Sequence, residues 1–264
     1  MTNKPVLLDS ITDTHDGIRG QVVVSGSHGG MYPAALASAA GIRSVIFNDA
    51  GIGLDQAGVA GVLALAEIGM AAAAVDCQSC LIGSAQDAYD RGLISLANSI
   101  AASCGVKSGM SVQAALEALA LAPVPNGCLP QIQETRHEFR LEGNNHPVVL
   151  VDSASLVMPD DTNKIIVTGS HGGLIGGDAT RALKVVAHVA VFNDAGVLSD
   201  EVGISRLPAL DDRHVAAVTV SHESARIGDA RSAFETGIIS KANNHARRSG
   251  AEAGMNLNIW LNSL

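Results

Sequence analysis

Short apolar runs, many of them β-branched, recur along the chain between longer stretches of helical spacing. In the first 119 residues the runs are Val6–Leu8, 21–24, 43–47 and Ala71–Val75, each bounded by Gly or Asp. Continuous apolar runs of this length suit parallel strands buried on both faces. The stretches 33–40, 58–68 and 85–103 predict helices. The last ends at Cys104-Gly105, and a matching stretch ends at Ser249-Gly250, where glycine can supply the left-handed residue that closes a helix. Strands alternating with helices predict right-handed βαβ units and a mostly parallel sheet.

The pattern occurs twice. A shift of 143 residues lays Leu7, Asp9, Ser10 and Val24 on Leu150, Asp152, Ser153 and Val167, and Gly26-Ser27-His28-Gly29-Gly30 on Gly169-Ser170-His171-Gly172-Gly173. A shift of 145 then aligns Phe47-Asn48-Asp49-Ala50-Gly51 with Phe192-Asn193-Asp194-Ala195-Gly196, and continues through Gly83/Gly228, Gly92/Gly237, Ser95/Ser240 and Asn98/Asn243. The predicted fold is therefore α/β, with two tandem, internally duplicated repeats related by a pseudo-twofold axis, each a mostly parallel sheet flanked by helices. The repeats occupy residues 1–119 and 147–264. Residues 120–146, with Pro123, Pro125 and Pro130, match nothing in the other copy and read as a linker holding one short strand at 138–141.

Composition narrows the picture. A net charge of −9 argues against a nucleic-acid surface, which needs a basic patch. The basic run from His245 to Arg248 decorates the last turn of a helix. Cys77, Cys80, Cys104 and Cys128 have no counterparts in the second copy, so a shared disulfide framework is not expected. The start MTNKPVLLDS lacks the features of a signal peptide, and the Ala-rich stretches are too short to span a membrane. A soluble, cytoplasmic protein is expected, without nucleic-acid or membrane partners; a homo-oligomer is left open.

Polar residues follow the predicted strands in both copies. They are Asp9-Ser10, Ser27-His28, Asn48-Asp49 and Asp76-Cys77, then Asp152-Ser153, Ser170-His171, Asn193-Asp194 and Ser221-His222. Ligands bind at the carboxyl edge of open parallel sheets, so these pairs outline a polar rim. GSHGG, between a strand and a helix, can point backbone N–H groups at an anion, and its glycines permit close approach. Ser27, His28, Gly29 and Gly30, with Gly172 and Gly173, are the expected substrate contacts. The stretch resembles the nucleophile elbow of α/β-hydrolases, a Ser centred on a strand–turn–helix, but Ser25 and Thr168 stand where the elbow has its first glycine. Its HGG is similar to lipase oxyanion-hole loops. The two resemblances exclude each other for one turn, and five residues assign no family.

Asn48, Asp49, Asn193 and Asp194 either touch substrate, orient an imidazole, or close an Asx-turn. Asp55 and Asp200 suit helix capping, as do Ser84 and Asp229. The copies part in the third loop. Cys77, Gln78 and Leu81 face His222, Glu223 and Arg226, which bring an acid/base pair and a carboxylate-binding fork to the second copy alone. The C-x-x-C of Cys77 and Cys80 lies outside a thioredoxin pattern and is read as incidental. Gly92, Ser95 and Asn98, like Gly237, Ser240 and Asn243, fall at i, i+3 and i+6, which predicts one helix face in close packing.

No cofactor is expected. A divalent metal is left open, since His171, Asp194, Asp200, His222, Glu223 and Asp229 are the residue types Zn²⁺ or Mn²⁺ takes, although no regular ligand spacing marks a site. The combined expectation is a hydrolase acting on a small, polar, anionic metabolite at a cleft between the repeats. Ser170, His171, Asp194, His222 and Glu223 would be catalytic, and Asn193 and Arg226 would bind substrate. A lyase or isomerase using the same His and Asp is the alternative, and a non-catalytic binding module for a phosphate or carboxylate metabolite is the rival from another class.

Overall fold

The computed structural model describes residues 5–196 and 204–264, so Asp200 lies outside the described residues. The chain forms two compact units, the first of residues 5–52 and 56–133, the second of residues 134–264 with Gly53–Asp55.

The first unit runs β1 (Val6–Leu8), β2 (Val22–His28), α1 (Met31–Ala39), β3 (Ser44–Asn48), α2 (Ala60–Ala64), β4 (Ala71–Val75), α3 (Ala85–Arg91), β5 (Ile94–Ala97), α4 (Ser99–Ser103) and α5 (Val112–Leu119). Its sheet has the order β1-β2-β3-β4-β5, with β1 to β4 parallel and β5 antiparallel to β4. Successive side chains point to opposite faces, and both faces are covered. Val23, Val45, Phe47, Ala72 and Ala74 belong to one apolar core, and Val24, Ile46, Ala71, Ala73 and Val75 to the other. That double burial explains why these strands read as unbroken apolar runs.

The second unit contains β6 (Arg136–Phe139), β7 (Val148–Val151), β8 (Ile165–His171), β9 (Val189–Asn193), α6 (Arg206–Asp211), β10 (Ala216–Val220), α7 (Ala230–Thr236), β11 (Ile239–Ala242), α8 (Asn244–Arg248) and α9 (Leu257–Asn262). Its order is β11-β10-β9-β8-β7-β6. From β7 to β11 the directions repeat those of β1 to β5, and β6 adds an antiparallel strand beside β7. The strand expected at 138–141 thus lies at Arg136–Phe139, within the second unit's sheet.

Two expectations fail. Residues 85–103 are not one helix: α3 stops before Gly92, and the chain becomes β5 before α4 begins. Ser95 and Ser240 lie in strands, while Asn98 and Asn243 cap α4 and α8, so the triplets share no helix face. The Asn98 amide explains the break. Its Oδ1 accepts from Ala72 and Ala101 N–H, and its Nδ2 donates to the Val62 and Met70 carbonyls, tying α2, the start of β4 and α4 together. Asn243 makes the same set with Ala217, Ala246, Leu207 and Val215. Second, GSHGG opens an α-helix only in the first unit. After Gly173 come two 3-10 turns, Ile175–Gly177 and Ala179–Arg181: Gly176 and Gly177 take positive φ where α1 has Pro33 and Ala34.

Candidate functional site

In each unit the carboxyl ends of the parallel strands bring the duplicated polar residues to one edge. The GSH portion of each GSHGG belongs to the strand itself, in β2 and in β8. Ser27 Oγ accepts the Ile11 N–H at 3.0 Å, and Ser170 Oγ accepts the Ala154 N–H at 2.9 Å. Each hydroxyl therefore holds down the loop after the preceding strand. Neither serine has the positive φ or the sharp turn of a nucleophile elbow, so that resemblance does not extend to the backbone.

The glycines are likewise explained by packing. A Cβ on Gly26 would lie 2.6 Å from the Asp9 carbonyl oxygen and 2.7 Å from Ser84 N; on Gly169 it would lie 2.6 Å from the Asp152 oxygen and 2.5 Å from Asp229 N. Gly29 N–H donates to the Asn48 carbonyl, Gly172 N–H to the Asn193 carbonyl, and Gly30 N–H to His28 Nδ1. These three amides are satisfied inside the fold and do not form the anion hole expected of them. Gly173 offers its carbonyl to the buried Arg206, whose guanidinium also lies 5.0 Å above the Phe192 ring. Arg206 stands where the first copy has Gly61, on which a Cβ would meet the Gly30 oxygen at 2.1 Å. Two different residues solve the same packing problem, and no sequence pattern announced it.

His28 is partly buried, and desolvation pushes its imidazole down to about 4. The Gly30 N–H aimed at Nδ1 favours the same neutral ring. His171 is buried at the end of β8, in register with Asn193. Asn48 and Asn193 both close Asx-turns: their Oδ1 atoms accept from Ala50 and Ala195 N–H at 2.9 Å, holding each alanine at a positive φ. Asn193 Nδ2 also donates to the Ala225 carbonyl at 3.0 Å, which fixes the third loop.

The aspartates of FNDAG do more. Asp194 Oδ1 accepts the backbone N–H of His222 and lies 2.9 Å from His222 Nδ1; both side chains are buried. A carboxylate accepting from Nδ1–H fixes the ring orientation and the tautomer, placing the lone pair on Nε2. In the first unit Asp49 Oδ1 accepts the Cys77 N–H at 3.0 Å, so the same scaffold presents a thiol where the second unit presents an imidazole. Burial and the Asp49 charge push the Cys77 thiol up to about 12, and burial and the Asp87 charge do the same to Cys80. Thiols that hold their protons at neutral pH are poor nucleophiles and poor redox partners. None of the four cysteines forms a disulfide.

Glu223 and Arg226 stand apart from the dyad's hydrogen bonds. Glu223 is exposed, with its N–H on Ser221 Oγ. Arg226 is exposed and pairs with Asp55 at 2.6 Å, so its fork already holds a carboxylate. Metal-ligand types gather elsewhere than expected. Among the described residues, Asp49, Asp76 and Cys77 of the first unit offer one ligand atom each within 4.8 Å of one another. Also among the described residues, no helix is long and apolar enough to cross a membrane. Comparison with protein-family models, with curated proteins and with solved structures gave no match to this chain.

Proposed function

We propose that the chain is a hydrolase of small polar metabolites in which His222, oriented by Asp194, is the general base that activates water. The observation that carries this reading is the 2.9 Å contact of Asp194 with His222 Nδ1 at the carboxyl edge of a parallel sheet. A water molecule, not Ser170, is the nucleophile of choice, because Ser170 Oγ is engaged with the Ala154 N–H. On this reading the second unit does the chemistry. In the first, the equivalent position carries a protonated thiol that cannot take a proton at neutral pH.

The test is turnover of a panel of small amides, lactones and phosphate esters in H₂¹⁸O, read by mass spectrometry. The reading expects one oxygen-18 in the product and loss of turnover in His222→Gln. Turnover that survives in both His222→Gln and Asp194→Asn would remove the dyad from the mechanism. In a parallel incubation in D₂O, deuterium appearing on carbon in recovered substrate, without hydrolysis, would assign the dyad to a lyase or isomerase instead.

A further inference from the structure

Three side chains at the amino-terminal end of β10 are absent from the first copy. Asp211, His214 and His245 stand where the first copy has Ala66, Gly69 and Ile100. The backbone at this place is the same in both. Gly69 N–H donates to the Ala66 carbonyl and His214 N–H to the Asp211 carbonyl, each at 3.0 Å, and both residues are left-handed, φ +71 for Gly69 and +58 for His214. Glycine suits such a position at no steric cost, whereas a residue with a Cβ costs on the order of 1 kcal/mol there. The second copy thus carries an imidazole where the fold favours none.

That imidazole faces another. His214 Nδ1 lies 3.4 Å from His245 Nε2, with the rings at 68° and their centroids 5.2 Å apart. The separation is long for a hydrogen bond to nitrogen. It does match two ligands of one tetrahedral ion: metal–nitrogen bonds of about 2.05 Å place two ligand nitrogens about 3.4 Å apart. The second shell is also present. His245 Nδ1 lies 2.9 Å from Asp211 Oδ1, and the same carboxylate accepts the His245 backbone N–H and the Asn244 side-chain amide. A carboxylate on the far nitrogen turns the lone pair of Nε2 toward His214 and raises its basicity as a ligand. His214 is exposed and His245 half-buried, which leaves room for water to complete the coordination.

We infer that His214 Nδ1 and His245 Nε2, backed by Asp211, form a binding site for a divalent transition ion of the zinc class. This site lies at the sheet edge opposite Asp194 and His222 and does not depend on the proposed hydrolysis. The experiment titrates zinc chloride into the full chain carrying Cys77→Ser, which silences the Asp49, Asp76 and Cys77 group, and follows the imidazole resonances of His214 and His245. Both should shift together and saturate. His214→Gly, which restores the residue of the first copy and relieves the backbone, should stay folded and lose at least tenfold in zinc affinity. Asp211→Asn should weaken binding by about 10–100-fold. Unshifted resonances, or unchanged affinity in folded His214→Gly and in His245→Gln, would overturn the site.

Discussion

The Oδ1 atom of Asp194 accepts the backbone N–H of His222 and also lies 2.9 Å from the Nδ1 atom of that residue. One carboxylate oxygen therefore fixes both where the loop after β10 sits and which way its imidazole turns. A third N–H, from Gly196, reaches the same oxygen at 3.2 Å.

From this, Asp194→Asn and His222→Gln should separate in stability but not in activity. The asparagine oxygen can keep the bonds from both backbone N–H groups and from Nδ1–H, but it lacks the negative charge that favours the protonated imidazole formed during proton abstraction, and the cost of weakening this buried cluster is about 1–3 kcal/mol. His222→Gln should cost less in stability. Each should lower kcat/KM by about 10²–10⁴ on any substrate the dyad turns over. Urea unfolding and steady-state rates check both, and full activity in either variant defeats the assignment.

Gly26→Ala and Gly169→Ala should each destabilise the fold by at least about 1–3 kcal/mol, because the added methyl meets backbone atoms that cannot yield. Gly127→Ala is the control, since its nearest neighbour is an Ile68 side chain at 3.6 Å. Equal unfolding midpoints for all three would show that the loops pack less closely than described.

His28 gives a pH dependence of definite sign. Its folded value of about 4 lies below the ordinary 6.5, so below about pH 6.5 the unfolded chain binds a proton that the folded ring refuses. Stability should fall as pH drops from about 6.5 to 4, by up to about 3 kcal/mol from this group. His28→Gln should flatten that part of the profile. An unchanged slope between pH 7 and 4.5 would mean that the ring protonates in the folded state.

Trp260, the sole tryptophan, is fully buried, and its Nε1–H donates to the Ser249 carbonyl at 3.1 Å. Ala115 holds the aligned place in the first copy. Trp260→Ala should cost about 3–5 kcal/mol and Trp260→Phe clearly less, as circular dichroism melts would record. A loss below 1 kcal/mol in the alanine variant would mean that α9 contributes little to this core.

The α/β class, the mostly parallel sheets and the polar residues at the carboxyl ends of their strands were legible in the sequence. Strands buried on both faces must be continuous apolar runs, and Val6–Leu8 and Ala71–Val75 end where those runs end. The strands β5 and β11 were not. Ile94 to Ala97 is short and lies between helices, and what makes it a strand is pairing with β4, locked by Asn98 across segments far apart in the chain. The pairing of Asp194 with His222 was an expectation from residue type that only the adjacency of β9 and β10 turned into a distance. GSHGG shows the limit most clearly. Its serines and glycines recur because loops distant in sequence press on them, and a repeat signals the constraint without saying whether backbone or ligand imposes it.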